Sequence, residues 1–85
     1  MYTKSMPTVL GLRVAQLREQ HRWTQKHLAD IVGCSINALS MIETGAIPTP
    51  RADRVIRLAA ALGATTDYLL GVSDESDDQK AATYV

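Results

Sequence analysis

Phenylalanine is absent from this 85-residue chain, and the other aromatics are one Trp and three Tyr. Hydrophobic residues still make up 46% of it, enough for a folded core. That core must be aliphatic, built from Leu, Ile, Val and Ala, a composition that suits packed helices. A single cysteine, Cys34, excludes an internal disulfide and with it a stapled secreted scaffold. The expected location is the reducing cytoplasm. No apolar run approaches the roughly 20 residues of a membrane helix. The first seven residues, MYTKSMP, lack the apolar stretch of a signal peptide. The length allows one small domain, so all its helices must share one centre.

The chain also has no net charge, but its charges are unevenly placed. Residues 1–66 carry eight basic side chains against four acidic ones, a net +4. Residues 67–85 carry five acids against Lys80, a net −4. A basic body with an acidic tail fits a polyanionic partner, and equally an ordinary solvated surface. The inventory for catalysis is thin. His21 and His27 fall on different helices, and Cys34 falls at a core position. No paired carboxylates, glycine-rich phosphate loop or metal-spaced cluster occurs, so neither an enzyme nor a metal or cofactor site is expected.

Apolar spacing predicts an all-α chain of four helices and a shorter fifth. The first spans about 9–21, with Leu10, Val14 and Leu17 on one face and Thr8 as its cap. The second spans 25–32, capped by Thr24 and stopped by Gly33, with Leu28, Ala29 and Val32 inward. The third spans 35–44, with Ser35 as cap, Leu39 and Ile42 inward, and Gly45 at its end. Thr49 followed by Pro50 reads as a cap and first helical position for a fourth helix, 50–62. Ala52, Val55, Ile56, Ala59 and Leu62 would form its inner face. A turn or two over 66–70 follows, between Thr65 and Gly71. Residues 1–8 read as an arm, 9–71 as the domain, and 72–85 as a polar, acidic, frayed tail.

Residues 25–42, QKHLADIVGCSINALSMI, carry the most information. Two short helices that cross steeply need a small residue at the contact, and Ala29 is one. They need a residue tolerant of positive φ at the turn, which is Gly33. They also need apolar inner positions, and Leu28, Val32, Cys34, Leu39 and Ile42 provide them. Together these positions fit a helix-turn-helix.

With its flanks, this stretch resembles the lambda-repressor-like, Cro-like (XRE) helix-turn-helix family. The segments LRVAQLREQ, WTQKHLADIVGCS, LSMIETG and RLAAALGATTDYLLG carry the resemblance over roughly residues 9–71. It implies a compact five-helix domain, double-stranded operator DNA as partner, and a homodimer. It also implies that the third helix is the recognition helix, lying in the major groove. On that helix Asn37 can form a bidentate pair with adenine, or stand as a solvated surface residue. Ile36 and Met41 can meet thymine methyls, or pack within the protein. Ala38 permits close approach to the groove. Ser40 and Thr44 can bond phosphates or remain surface hydroxyls, and Ser35 sits at the same helix start.

Gln25 matches the family's phosphate-anchoring glutamine, beside Thr24 and Lys26 at a helix end that favours anions. Arg51 can reach a phosphate from the start of the fourth helix, whereas Arg54 and Arg57 face solvent. By the same resemblance Arg18 pairs with Glu43, a structural pair rather than a DNA contact. Tyr68, Leu69 and Leu70, with Ala64 and Val72, can supply a dimer seam or pack on the first helix. Two departures stand out. Arg22 occupies a turn where the family often has glycine, and Ala46, Ile47, Pro48 and Thr49 replace a loop that usually carries Lys or Arg. The function expected is a transcriptional regulator, most simply a dimeric repressor. A protein-interaction module such as an antitoxin, using the apolar third helix and the acidic tail, is the alternative.

Overall fold

A computed structural model describes residues 6–74. Five helices follow one another: α1 (Val9–Gln20), α2 (Gln25–Val32), α3 (Ile36–Thr44), α4 (Ala52–Leu62) and α5 (Thr66–Leu70). No strand occurs among the described residues. Thr8, Thr24, Ser35 and Thr65 each accept a hydrogen bond from a backbone N–H three residues on. These caps satisfy donors that the first turn leaves open, so local chemistry sets where four of the helices begin.

Leu10 and Val14 of α1 meet Leu28, Ala29 and Val32 of α2, Leu39 and Ile42 of α3, Leu58, Ala59 and Leu62 of α4, and Leu69 of α5 in one core. Leu17, Trp23, Cys34 and Tyr68 pack against its edge. The core is aliphatic, as the scarcity of aromatics requires.

Helix α4 departs from the expected face and the expected start. Its buried side is Val55, Leu58, Ala59 and Leu62, while Ala52 is exposed and Ile56 is 58% exposed. Apolar residues cover a wide arc of α4, so two phases fit the spacing. The interior takes Leu58, at 0% exposure, and leaves Ile56 outside. The helix begins after Arg51, which makes no side-chain cap, so neither Thr49 nor Pro50 plays the predicted part.

The ordered body also runs past Gly71. Arg13 of α1 donates to the carbonyls of Tyr68 (2.6 Å) and Ser73 (2.7 Å) and pairs with Asp74 at 3.2 Å. Its guanidinium lies over the Tyr68 ring, 4.1 Å from the centroid. The part of the predicted tail at 72–74 is therefore fastened to α1, and Ser73 is buried. Residues 75–85 of that tail and 1–5 of the arm lie outside the described residues.

Two backbone features place the helices. Gly33 ends α2 at φ 84°, a conformation glycine adopts freely, and turns the chain into α3. Gly11 lies where α1 touches α3. A Cβ there would sit 2.5 Å from the carbonyl oxygen of Ile42 and 2.7 Å from that of Glu43. Substituting Gly11→Ala should therefore destabilise the fold by about 2 kcal/mol despite alanine's better helix propensity, because a methyl forces α1 off α3. Urea unfolding monitored by far-UV circular dichroism checks this; a stabilised variant would contradict the packing.

Candidate nucleic-acid interface

The α2–turn–α3 unit presents one side to solvent and the other to the core. Leu28, Ala29 and Val32 hold α2 on the core, and Leu39 and Ile42 hold α3. What remains outside on α3 is Ile36 (45% exposed), Asn37 and Thr44, with Ala38, Ser40 and Met41 half-buried along the flanks. Asn37, in the first turn of α3, has an exposed carboxamide free of intramolecular hydrogen bonds among the described residues. Both edges of that amide are available to an external donor–acceptor pair. Met41 is only half-buried, so of the two large apolar residues Ile36 projects further.

The hydroxyls and cations around α3 are partly committed. Ser35 and Thr24 accept their cap hydrogen bonds, and Thr44 donates weakly to the Met41 carbonyl at 3.4 Å. Lys26 pairs with Asp30 one turn on at 2.9 Å, and Arg51 approaches Asp53 at 3.5 Å. Both pairs are exposed and can exchange for a stronger anion at little cost. Helix α3 itself carries no Lys or Arg; its one charged residue is Glu43.

Glu43 is the hub of the site. Its Oε2 accepts from Arg18 Nε at 2.7 Å, and its Oε1 accepts from Arg18 Nη2 at 3.2 Å. The same Oε1 accepts from Gln25 Nε2 at 2.9 Å. Arg18 also donates Nη1 to the Trp23 carbonyl at 2.8 Å. One carboxylate from the last turn of α3 thus joins α1, the α1–α2 turn and the start of α2. The predicted Arg18–Glu43 pair is present, with side chains only 13% and 7% exposed. Sequence reasoning missed the third partner. Gln25 is half-buried and tied to Glu43, and only its second N–H remains for an outside acceptor.

The Glu43 hydrogen bonds raise the Arg18 pKa above its ordinary value, against the opposing effect of burial. A raised pKa for a cation stabilises the fold at every pH below the ordinary arginine value. That contribution is lost only in strong alkali, so the Arg18 charge stays constant through the physiological range.

The predicted dimer residues separate. Leu69 is fully buried in the core and cannot form a seam. Tyr68 is half-buried beneath Arg13. Leu70 (53%) and Val72 (73%) are exposed. The five-residue α5 turns too quickly for three consecutive side chains to share one outlook, and the core takes the middle one. Leu70 instead borders a groove of about 350 Å³ lined by Pro50, Ala52, Val55, Ile56 and Thr66.

The helix-turn-helix domain family matches residues 9–73. This chain belongs to it. The five-helix arrangement places it in the lambda-repressor-like (XRE) branch, since solved domains of that type superpose on it. The N-terminal DNA-binding domain of SinR from Bacillus subtilis gives a TM-score of 0.70 at 26% identity, covering 73% of this chain and 90% of that one. The P22 c2 repressor, solved in complex with synthetic operator 9T, gives 0.67 at 31% identity over 75% of this chain and 96% of its own. The uncharacterized HTH-type transcriptional regulator YobD of Bacillus subtilis (strain 168) is 31% identical over 65 residues, which is 76% of this chain. Those residues cover 57% of YobD. In this chain the Arg18–Glu43 pair joins α3 to α1. Removing Arg18 (Arg18→Ala) strands a buried carboxylate and should cost about 3 kcal/mol of stability. A thermal melt checks this, and an unchanged midpoint would show that Glu43 does not depend on Arg18.

Proposed function

We propose that this protein is a sequence-specific DNA-binding transcriptional regulator, not an enzyme, that inserts α3 into the major groove as a homodimer. The observation that carries the reading is the exposed, uncommitted face of α3 bearing Asn37, on a helix-turn-helix domain similar to SinR and the P22 c2 repressor. Both relatives have been solved in complex with DNA. Asn37 reads an adenine through its paired donor and acceptor, Ile36 meets a thymine methyl, and Ala38 lets the helix approach. Gln25 offers its free N–H to a phosphate beside the first turn of α2. Thr24, Lys26, Ser35, Ser40, Thr44 and Arg51 flank these contacts; Lys26 and Arg51 exchange their exposed carboxylates for phosphates.

The homodimer reading rests on the α4–α5 face. Ile56 and Leu70 project from the same face that holds the apolar groove. A two-fold axis lets each copy place its projecting side chains in the other's groove, the self-complementarity an isologous contact requires. No residue of α3 lines that groove, so both recognition helices stay uncovered. Two copies joined this way address half-sites about 34 Å apart. Repression follows by occupancy of the operator. Among the described residues no helix is long and apolar enough to cross a membrane. The cytoplasm, where DNA and a free thiol coexist, is the proposed location.

Selection of binding sites from random duplex DNA tests the reading directly. A palindromic consensus supports the dimeric regulator; retention of a partner protein with no consensus supports the interaction module instead. With a consensus in hand, Asn37→Ala should cost about 1–3 kcal/mol and relax preference at one base per half-site, whereas Gln25→Ala should weaken all sequences alike. Equal losses on every sequence from both variants would contradict these roles. Ile56→Asp should leave the monomer folded and shift sedimentation equilibrium toward it, because the substitution places a charge in an apolar contact. An unchanged association constant would remove the α4–α5 face from the dimer.

A further inference from the structure

The turn between α1 and α2 contains a feature that the helix-turn-helix reading leaves unused. Arg22 adopts φ 61°, and it is the one non-glycine residue with positive φ among the described residues. Its N–H donates to the Glu19 carbonyl (2.9 Å) and that of Trp23 donates to Arg18 (3.1 Å), closing α1 in the pattern that normally selects glycine. Glycine would fit here without strain, yet a long cation stands in its place. Strain of this kind, once observed, is a reason to look for what the side chain does.

The side chain borders a cleft of about 360 Å³ lined by Arg22, Trp23, Thr24 and His27. Trp23 is fixed there. The His21 ring stacks on it at 4.4 Å with 16° between planes, and His27 meets it at 60° and 5.1 Å. His21 is held in turn by a contact from Nε2 to the Leu62 carbonyl at 3.1 Å. The cleft therefore has a rigid aromatic wall, a hydroxyl, an imidazole and a guanidinium. That guanidinium forms no ion pair among the described residues, whereas Lys26 and Arg51 each face a carboxylate. The cleft lies at the start of α2, the helix that Gln25 opens and where the proposed function places a phosphate.

From these observations we infer that the Arg22–Trp23–Thr24–His27 cleft is a second phosphate site, taking the backbone phosphodiester adjacent to the one held by Gln25. Arg22 supplies the charge, and the Trp23 wall accommodates the deoxyribose between the two phosphates. Because α3 has no cation, this contact carries an unusually large share of the electrostatic attraction to DNA. The inference rests on the DNA-binding reading.

Replacing Arg22 by glycine separates structure from binding, because the two responses have opposite signs. Arg22→Gly should raise the melting temperature by relieving the strained φ. On the selected duplex it should weaken binding by about fivefold at moderate salt and reduce the slope of log K against log salt by about 0.9. Arg22→Lys should keep the slope. Replacing backbone phosphates one at a time by neutral methylphosphonate should reveal one position whose cost to the unaltered protein vanishes in Arg22→Gly. An Arg22→Gly variant with unchanged slope and affinity overturns the second site. A loss of binding that comes with a lowered melting temperature overturns it too, since Arg22 would then be structural. If the unaltered protein binds no duplex in the selection, the regulator reading fails first and this site falls with it.

Discussion

The position of α3 against α1 is the constraint on which the remaining geometry depends. It is fixed twice, by two different forces. At Gly11 the two helices touch backbone to backbone, at a separation that no side chain could occupy. One helical stretch further along, Arg18 and Glu43 join the same two helices by a charged pair almost closed to water. The first contact sets distance and the second sets register. Because Glu43 also binds Gln25, the start of α2 inherits its placement from the same point. The outward face of α3 is thus a consequence of contacts made behind it.

That arrangement separates the work of shape from the work of charge. The exposed face of α3 is nearly neutral, with an amide, two hydroxyls and an apolar side chain. Such a face can distinguish partners through hydrogen-bond pattern and methyl contact, but it contributes little long-range attraction. The cations sit on its margins, at the start of α2 and of α4, and most are already near a carboxylate. A neutral exposed face with mostly paired charges at its edge offers hydrogen-bond pattern and shape rather than long-range attraction.

Much of this was legible in the sequence because the signals were local. Thr24 before Gln25, Gly33 after Val32, Ser35 before Ile36 and Gly71 after Leu70 each mark a helix end by chemistry that acts within four residues. Those boundaries agree with the structure. The failures share a different origin. The choice between Ile56 and Leu58 depends on which side of α4 the core occupies, which no feature of α4 alone decides. Leu69 is buried for the same reason: its neighbours in space come from distant parts of the chain. The Gln25–Glu43 bond and the Arg13 clasp span 18 and as many as 61 residues, and nothing near either partner announces them. For Gly11 a signal was present. A glycine inside a helix asks for a close approach, and the approaching group was simply unknown.

Trp23 is the sole indole in the chain, and it stands between His21 and His27 at the joint of α1 and α2. Its ultraviolet emission therefore arises from one place only, and that place has stacked imidazole on one side and open solvent nearby. An unlabelled sample consequently carries a built-in optical gauge at this joint. Any event that parts the rings, dries the cleft or brings a new group against the indole changes its brightness or colour, whereas rearrangement of a remote surface leaves its emission unchanged.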